Sequence, residues 1–214
     1  GNVAGAQSVL ATQLAAAGYV AVDVGFNEIA PWTSDLPYSA RSALDKLCIS
    51  LPQRANCDAI IWTGTSYSGT QGLIVTNYLR NSNRNVLGFL SQDAGYTLSW
   101  GVPNHANLSQ YSVALIENMG DMTFPVNACS DGNCGARERA TFHRNNGVNL
   151  DKIVSWCPAG GDHGTRDNVP GGAQAWDNWV LSAIKSMLHV QRGVPTFTGY
   201  TPPNVALSNA CAAP

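Results

Sequence analysis

The feature that most constrains the fold of this chain is a short apolar run that leads directly into Gly64-Thr65-Ser66-Tyr67-Ser68. A helical pattern of apolar side chains follows this segment at once. A serine hydroxyl can attack a carbonyl group when it is exposed at a sharp strand-to-helix turn, and such a turn needs small residues two positions before and after the serine. Gly64 and Ser68 stand at those two positions. The pattern predicts a strand–turn–helix unit with Ser66 at its apex, as a candidate nucleophile.

Two candidate partners follow Ser66 in the chain, each just after a predicted strand. Asp121 comes after the apolar run 112–117 and has Phe-Pro closely behind it. His163 lies in the glycine-rich segment 160–164, after the apolar run 152–157. The carboxyl ends of parallel strands meet at one edge of a sheet, where binding sites form. We therefore expect Ser66, Asp121 and His163 to lie close together.

The chain order Ser66, Asp121, His163 resembles that of the α/β-hydrolase family, over roughly residues 1–190. The resemblance implies that these residues are nucleophile, acid and base, and that neither a metal ion nor an organic cofactor is needed. It also implies that the backbone N–H of Tyr67 donates to the oxyanion. The family's sheet has earlier strands, and a loop after one of them carries the second oxyanion donor. Residues 1–5 resemble the tail of that loop, so we expect its strand to be missing from this chain.

Each assignment has a competitor. Ser68 also has small residues on both sides, although the predicted strand ends at Gly64 and so favours Ser66. Asp93 also follows a predicted strand, and some members of the family carry the acid at that place. Asp121 is favoured because the segment Gly-Asp-x-x-Phe-Pro matches the commoner placement. The other three histidines, His105, His143 and His189, are weaker candidates because their surroundings suggest a loop, a helix surface and a helix end.

Helical and strand patterns alternate along the chain, which predicts the α/β class: a mostly parallel sheet with helices on both faces and little or no lid. The predicted helices cover residues 6–17, 39–51, 70–81, 135–145 and 173–189. The predicted strands cover residues 19–24, 59–63, 85–91, 112–117 and 152–157. Residues 1–190 are expected to form one domain, and residues 191–214, rich in Pro and Thr, a tail packed on its surface.

Composition excludes several classes of function. Charged residues make up only 12% of the chain, and the formal net charge is −2. No basic stripe is present, so nucleic-acid binding has little support. No apolar run approaches the ~18 residues of a membrane-spanning helix. The chain begins with Gly1 and without a signal peptide, which is typical of a mature or trimmed end.

Six cysteines, an even number, favour an oxidising compartment, either extracellular or periplasmic. Sequence alone leaves their connectivity open. Proximity favours Cys48 with Cys57 and Cys129 with Cys134, which leaves Cys157 and Cys211. A metal site formed by Cys129, Cys134 and His143 is the rival interpretation, but its spacing fits no familiar zinc pattern. A cytoplasmic protein with six free thiols is a further alternative.

The tryptophans indicate little about the substrate. Trp176 and Trp179 lie on the apolar face of the last predicted helix and are expected in the core. Trp32 and Trp100 lie in loops at the predicted catalytic edge and are candidates for substrate binding. Trp156 precedes the histidine loop and is a candidate for the floor of the pocket.

Together these features predict a secreted serine hydrolase that cleaves small-molecule or polymeric carboxylic esters through an acyl-enzyme. One alternative is a non-catalytic binding domain on the same scaffold, since a fold does not guarantee activity. Peptidase or acyl-transfer chemistry with the same three residues is the other.

Overall fold

The computed structural model describes residues 4–30, 33–53, 55, 57–94, 112–118, 120–123, 129–130, 133–135, 139, 142–143 and 153–190. The predictions for Trp32, Trp100, His105 and the tail 191–214 lie outside these residues. So does most of the predicted helix 135–145, of which Arg139, Phe142 and His143 are helical.

Four strands form a parallel sheet: β3 (Ile60–Thr65), β4 (Val86–Gln92), β5 (Ser112–Ile116) and β8 (Ile153–Trp156). They lie side by side in chain order. Every residue of β4 and β5 is buried, as expected for inner strands covered on both faces. The predicted α/β class with a parallel sheet is therefore confirmed.

The helices are α1 (Ala4–Ala16), α2 (Leu36–Ser50), α3 (Tyr67–Thr70), α4 (Gly72–Asn81) and α5 (Gly172–Val190). Two small antiparallel pairs complete the described elements: β1 (Glu28–Ala30) with β2 (Thr33–Ser34), and β6 (Cys129–Ser130) with β7 (Asn133–Cys134). The sequence pattern did not predict either pair, because strands of two or three residues are too short to show an apolar period.

Helices cover both faces of the sheet, and alternate residues of β3 face opposite layers. Ile61 packs against a cluster built from α1, α5 and the inner strands. Ile60 and Trp62 pack against a second cluster, formed by α2, α4 and the start of β4. Trp156, Trp176 and Trp179 are all at most 1% exposed within the first cluster. The predicted core position of Trp176 and Trp179 is confirmed.

The four strands of the sheet end on one line. Thr65 pairs with Gln92, Gln92 with Ile116, and Ile116 with Trp156, and these are the last residues of β3, β4, β5 and β8. The residue after each of the first three strands donates its backbone N–H to the end of the next strand, at 2.8–3.1 Å. This common edge brings together loops that are far apart in sequence.

Several predicted elements differ from the structure: the predicted helix 70–81 is divided into α3 and α4, and the predicted strand 59–63 extends to Thr65. The predicted strand over residues 19–24 is wrong: the segment has no strand partner among the described residues. Its apolar alternation reflects packing instead, since Tyr19 and Ala21 contact one core cluster and Val24 the other. Helix α2 begins at Leu36, three residues earlier than predicted, because Pro37 is compatible with the first turn of a helix.

A disulfide joins Cys48, near the end of α2, to Cys57, before β3, as predicted. Cys157 is disulfide-bonded as well, and its predicted partner Cys211 lies outside the described residues. The backbones of Cys129 and Cys134 are register partners in the β6–β7 pair, and their predicted bond stays a prediction. Among the helices of the described ranges, none is long and apolar enough to cross a membrane.

Candidate active site

Ser66 lies at the apex of a strained turn between β3 and α3. Its φ is 53° and its ψ is −123°, a conformation that residues other than glycine rarely adopt. Hydrogen bonds hold it there. The Ser66 N–H donates to the Gln92 carbonyl at 2.9 Å, and the Ser66 carbonyl accepts from the backbone N–H and the hydroxyl of Thr70 at 2.9 and 3.1 Å.

The turn closes because Gly64 has no side chain. A Cβ atom at Gly64 would lie 2.5 Å from the carbonyl carbon of Ser68 and 2.7 Å from the backbone nitrogen of Gly69. The prediction that position 64 must be small therefore has a specific steric cause.

Ser68, the competing nucleophile, braces the same turn. Its hydroxyl accepts from the Thr65 N–H at 3.0 Å and donates to the Thr65 carbonyl at 2.9 Å. Its carbonyl accepts from the indole N–H of Trp62 at 3.1 Å. The Ser68 hydroxyl is thus used in hydrogen bonds within the turn, whereas the Ser66 hydroxyl points toward His163.

The structure brings the three predicted residues into hydrogen-bond contact. The Ser66 Oγ lies 2.8 Å from the Nε2 of His163, and the His163 Nδ1 lies 2.9 Å from the Oδ2 of Asp121. The Asp121 side chain is fully buried, while that of His163 is 25% exposed. The imidazole therefore spans from a buried carboxylate to a partly solvent-accessible hydroxyl.

Asp121 is held so that one oxygen faces the imidazole. Its Oδ1 accepts from the backbone N–H of Thr123 at 2.8 Å, and its own N–H donates to the Asn118 carbonyl at 3.0 Å. An ionised carboxylate can only accept, so the Nδ1 of His163 carries the proton and the Nε2 lone pair is available to the Ser66 hydroxyl.

Carboxylates set the charge around His163. The hydrogen bond to Asp121 raises the pKa of His163, burial opposes this, and the charges of Asp121, Asp93 and Asp162 raise it further. The protonated imidazole is thus stabilised, as is required of a group that accepts a proton during a reaction.

The loop that carries His163 has a tight internal structure. The Asp162 N–H donates to the Thr165 hydroxyl at 2.6 Å, and the Thr165 N–H donates to the Asp162 carbonyl at 3.0 Å. Arg166 then forms an ion pair of 2.7 Å with Asp177 of α5, which is buried. These contacts fix both the shape of the loop and its attachment to the helix behind it.

Asp93, the competing acid, lies elsewhere in the same cluster. Its Oδ2 accepts from the backbone N–H of Gly164 at 2.9 Å, and both of its oxygens accept from Asn118. Sequence reasoning missed Asn118 altogether. Its position could have indicated a role, because Asn118 is a polar residue two positions after the end of the buried strand β5, at the edge of the sheet where sites form.

Tyr67, the predicted oxyanion donor, is the first residue of α3 and follows Ser66 directly. Its ring stacks on that of Phe26, with centroids 5.7 Å apart and planes 16° from parallel. The sequence did not predict this aromatic contact, which joins residues 41 positions apart through the fold. Of residues 1–5, which resemble the tail of the loop that carries the family's second donor, Ala4 and Gly5 belong to α1.

Trp156, the predicted pocket floor, is fully buried in the core. Its ring packs against those of Trp176 and Trp179, with centroids 6.2 and 5.9 Å away. Its contact with a substrate stays a prediction, and the same predictions for Trp32 and Trp100 fall on residues that are not described.

Nothing in the described part of the chain supports a metal centre. No group of three or more His, Cys, Asp or Glu side chains is placed there to hold a metal ion. His143, a member of the rival metal set, is buried with its ring edge-on to that of Phe89, at 5.4 Å.

A comparison with known proteins found no matching protein family and no matching curated protein. The assignment of a function therefore rests on the geometry of the site.

Proposed function

We propose that this chain is a serine hydrolase with the α/β-hydrolase fold, and that it cleaves carboxylic esters through an acyl-enzyme. The observation that carries the proposal is the continuous chain of two hydrogen bonds, 2.8 Å from Ser66 to His163 and 2.9 Å from His163 to Asp121. The strained turn at Ser66 supports it, since strain of this kind is concentrated at functional sites.

In the proposed reaction, the Nε2 of His163 takes the proton of the Ser66 hydroxyl while Oγ attacks the ester carbonyl. The resulting tetrahedral intermediate collapses, its bond to the alcohol oxygen breaks, and the proton on Nε2 passes to the leaving alkoxide. A water molecule then gives a proton to Nε2 and attacks the acyl carbonyl. Collapse releases the carboxylic acid and returns the proton to Ser66.

Asp121 keeps His163 in the tautomer that this reaction needs and stabilises the imidazolium that forms twice in each cycle. The backbone N–H of Tyr67 is the proposed oxyanion donor, because it follows the nucleophile at the start of a helix. One such donor contributes about 3–4 kcal/mol to the stabilisation of the transition state.

The direct test is labelling with a fluorophosphonate, followed by mass mapping of the modified peptide. We expect the wild-type protein to be labelled at Ser66, with labelling abolished in Ser66→Ala and His163→Ala. Ser68→Ala is the matched control: it removes a hydroxyl two residues away, so its labelling at Ser66 should persist, although at a lower rate because the turn loses its brace.

The alternative functions give different results. A non-catalytic binding domain would be folded yet unlabelled, or labelled equally in the wild type and His163→Ala. Peptidase activity is separated from esterase activity by a p-nitrophenyl ester and a p-nitroanilide with the same acyl group. We expect hydrolysis of the ester with no measurable hydrolysis of the anilide, and enzymatic turnover of the anilide would contradict the ester assignment. Transfer of the acyl group to an added alcohol in preference to water would indicate an acyltransferase.

We also propose that the protein works in an oxidising compartment, extracellular or periplasmic. The Cys48–Cys57 bond and the disulfide-bonded Cys157 support this, since such bonds persist mainly outside the cytosol. Thiol titration under denaturing, non-reducing conditions tests it: six titratable thiols in protein isolated from its native source would contradict the proposal.

A further inference from the structure

Asp93 is a buried carboxylate that the proposed reaction does not use. It is 1% exposed and follows β4 directly, with a φ of 38°. Its Oδ1 accepts from the Asn118 N–H at 2.8 Å, and its Oδ2 accepts from the Asn118 side-chain amide at 2.8 Å and the Gly164 N–H at 2.9 Å. One carboxylate thus joins the ends of β4 and β5 to the loop of His163.

Asn118 extends these contacts to the same loop. Its side-chain amide also lies 3.1 Å from the Asp162 carbonyl and 2.9 Å from the Thr165 carbonyl. The loop packs so closely that a Cβ at Gly161 would lie 2.2 Å from the Asn118 Oδ1. Asp93 and Asn118 therefore hold the loop on both sides of His163. We call this pair the Asp93–Asn118 clamp.

We propose that Asp93 is a positioning residue, which acts with Asn118 to hold the His163 loop so that the imidazole faces Asp121 and Ser66 together. The catalytic part of this inference rests on the proposed hydrolase function. The clamp itself is a property of the fold, and it can be tested whether or not the protein hydrolyses esters.

A carboxylate suits this place because three N–H donors converge on it, and an ionised carboxylate offers acceptors alone. An asparagine at position 93 would present an amide donor to at least one of those N–H groups. Burial raises the pKa of Asp93 to about 6, the charge of Asp121 raises it, and the hydrogen bonds from Asn118 and Gly164 lower it. Near neutral pH Asp93 is therefore mainly ionised.

The charged groups around Asp93 come from several elements. Asp121 and the His163 imidazole, with Asp162 beside it, interact with it across the cluster. The guanidinium of Arg139 donates to the carbonyl of Ala94, the next residue along. Since the charge of Asp93 raises the pKa of His163, its removal has a predictable effect on the pH profile.

The main test is the variant Asp93→Asn, with ester hydrolysis measured from pH 5 to 9. We expect kcat to fall by roughly 10- to 100-fold, because small misplacements of a catalytic group cost about that much. KM should change by less than about threefold, as a group that does not touch substrate has little effect on binding. The acid limb of kcat/KM should move to lower pH. The matched control is Asp167→Asn, which changes an exposed residue in the following turn. It should leave kcat, KM and the acid limb unchanged.

A second measurement does not need activity. We expect the Gly164 amide hydrogen of the wild-type protein to be protected from exchange at pH 7.5, and to exchange at least about tenfold faster in Asp93→Asn. The NMR signal of the His163 Nδ1 proton should broaden or shift in this variant but not in Asp167→Asn.

The outcomes are distinct. A folded Asp93→Asn with unchanged kcat, pH profile and Gly164 exchange would overturn the proposal, as would an unprotected Gly164 amide in the wild type. If Asp93→Asn does not fold, the test uses Asn118→Ala, which keeps Asp93 and removes the bonds to the Asp162 and Thr165 carbonyls. Unchanged kcat and unchanged Gly164 exchange in Asn118→Ala would also overturn the proposal. If the wild type neither hydrolyses esters nor reacts with fluorophosphonate, the proposed function fails, while the exchange and NMR results still decide the clamp.

Discussion

The Oγ of Ser66 lies 2.8 Å from the Nε2 of His163, although 97 residues separate the two in the chain. The contact exists because β3, β4, β5 and β8 end on one line, so that the loops following them share one edge of the sheet. Ser66 belongs to a turn stabilised by its chain neighbours and by one bond to the Gln92 carbonyl, whereas His163 belongs to a loop that contacts Asp93 and Asn118, which follow two other strands.

The turn around Ser66 should depend strictly on Gly64. In Gly64→Ala the added Cβ would lie 2.5–2.7 Å from backbone atoms of Ser68 and Gly69, so the turn must open. We expect a loss of roughly 2–3 kcal/mol in the free energy of unfolding and the loss of most fluorophosphonate reactivity. Urea denaturation and labelling check this. Gly25→Ala is the control, since no atom lies within 4 Å of its added Cβ, and equal effects in the two variants would contradict the steric explanation.

The strain at Ser66 should be measurable as stability. Glycine adopts a φ of 53° easily, so Ser66→Gly should be more stable than Ser66→Ala by about 1 kcal/mol, after the greater entropy of glycine in the unfolded chain is subtracted. The same pair of changes at Ser82, where φ is −96°, should show the opposite order. Chemical denaturation of the four variants decides the point, and a less stable glycine at both positions would argue against strain at Ser66.

The activity should fall as His163 is protonated. Because its hydrogen bond with Asp121 raises the pKa of His163 above the ordinary value near 6.5, kcat/KM should decline tenfold per pH unit on an acid limb that begins above that value. In Asp121→Asn we expect kcat to fall by roughly 10³- to 10⁴-fold and the acid limb to move to lower pH. Steady-state rates from pH 5 to 9 test both, and an acid limb at the same pH in the two proteins would show that Asp121 does not control this titration.

The same hydrogen bond contributes to stability in a defined pH window. A raised pKa means that the folded protein binds the His163 proton more tightly than the unfolded chain does. The stabilisation is therefore complete below pH 6.5 and is lost as pH rises through the folded pKa. The difference in Tm between the wild type and Asp121→Asn should accordingly be larger at pH 6 than at pH 9. A difference that grows toward high pH would contradict this linkage.

Asp93, like His163, should make the folded protein less stable at high pH than at low pH. Its pKa is raised to about 6, so the folded state retains the proton between roughly pH 4 and 6 while the unfolded state loses it. The stability of the wild type relative to Asp93→Asn should fall by about 2–3 kcal/mol between pH 4 and pH 7. Denaturation curves at these two pH values measure it, and a relative stability that rises with pH would contradict the burial of this carboxylate.

The Cys48–Cys57 bond should contribute stability without contributing to the reaction. It closes a loop with a sequence separation of 9 residues before the first residue of β3, while Ser66 follows the last one. In the double variant Cys48→Ser, Cys57→Ser we expect a loss of about 2–3 kcal/mol from the greater freedom of the unfolded chain. The kcat at 15 °C should change by less than about twofold. A large loss of kcat in the folded variant would indicate that this bond also shapes the site.

Local sequence was enough for the elements that depend on nearby residues. The turn from β3 to α3 is largely local, because most of its hydrogen bonds and close contacts join residues near one another in the chain, although the Ser66 N–H also donates to the Gln92 carbonyl. The strand predicted over residues 19–24 was wrong for the opposite reason. A strand requires a neighbouring backbone, and the alternation of apolar side chains does not reveal whether one is present.

The amino-acid sequence shows which chemical groups are available and which strands they follow: Ser66 after β3, Asp93 after β4, Asp121 after β5 and His163 after β8. The tertiary structure decided how the two carboxylates divide their roles. Both follow buried strands at the same edge, so sequence position could not separate them. The imidazole contacts Asp121, while Asp93, together with Asn118, is hydrogen-bonded to the backbone of the His163 loop. Such a division depends on contacts between residues more than 20 positions apart, and these exist only once the strands have aligned.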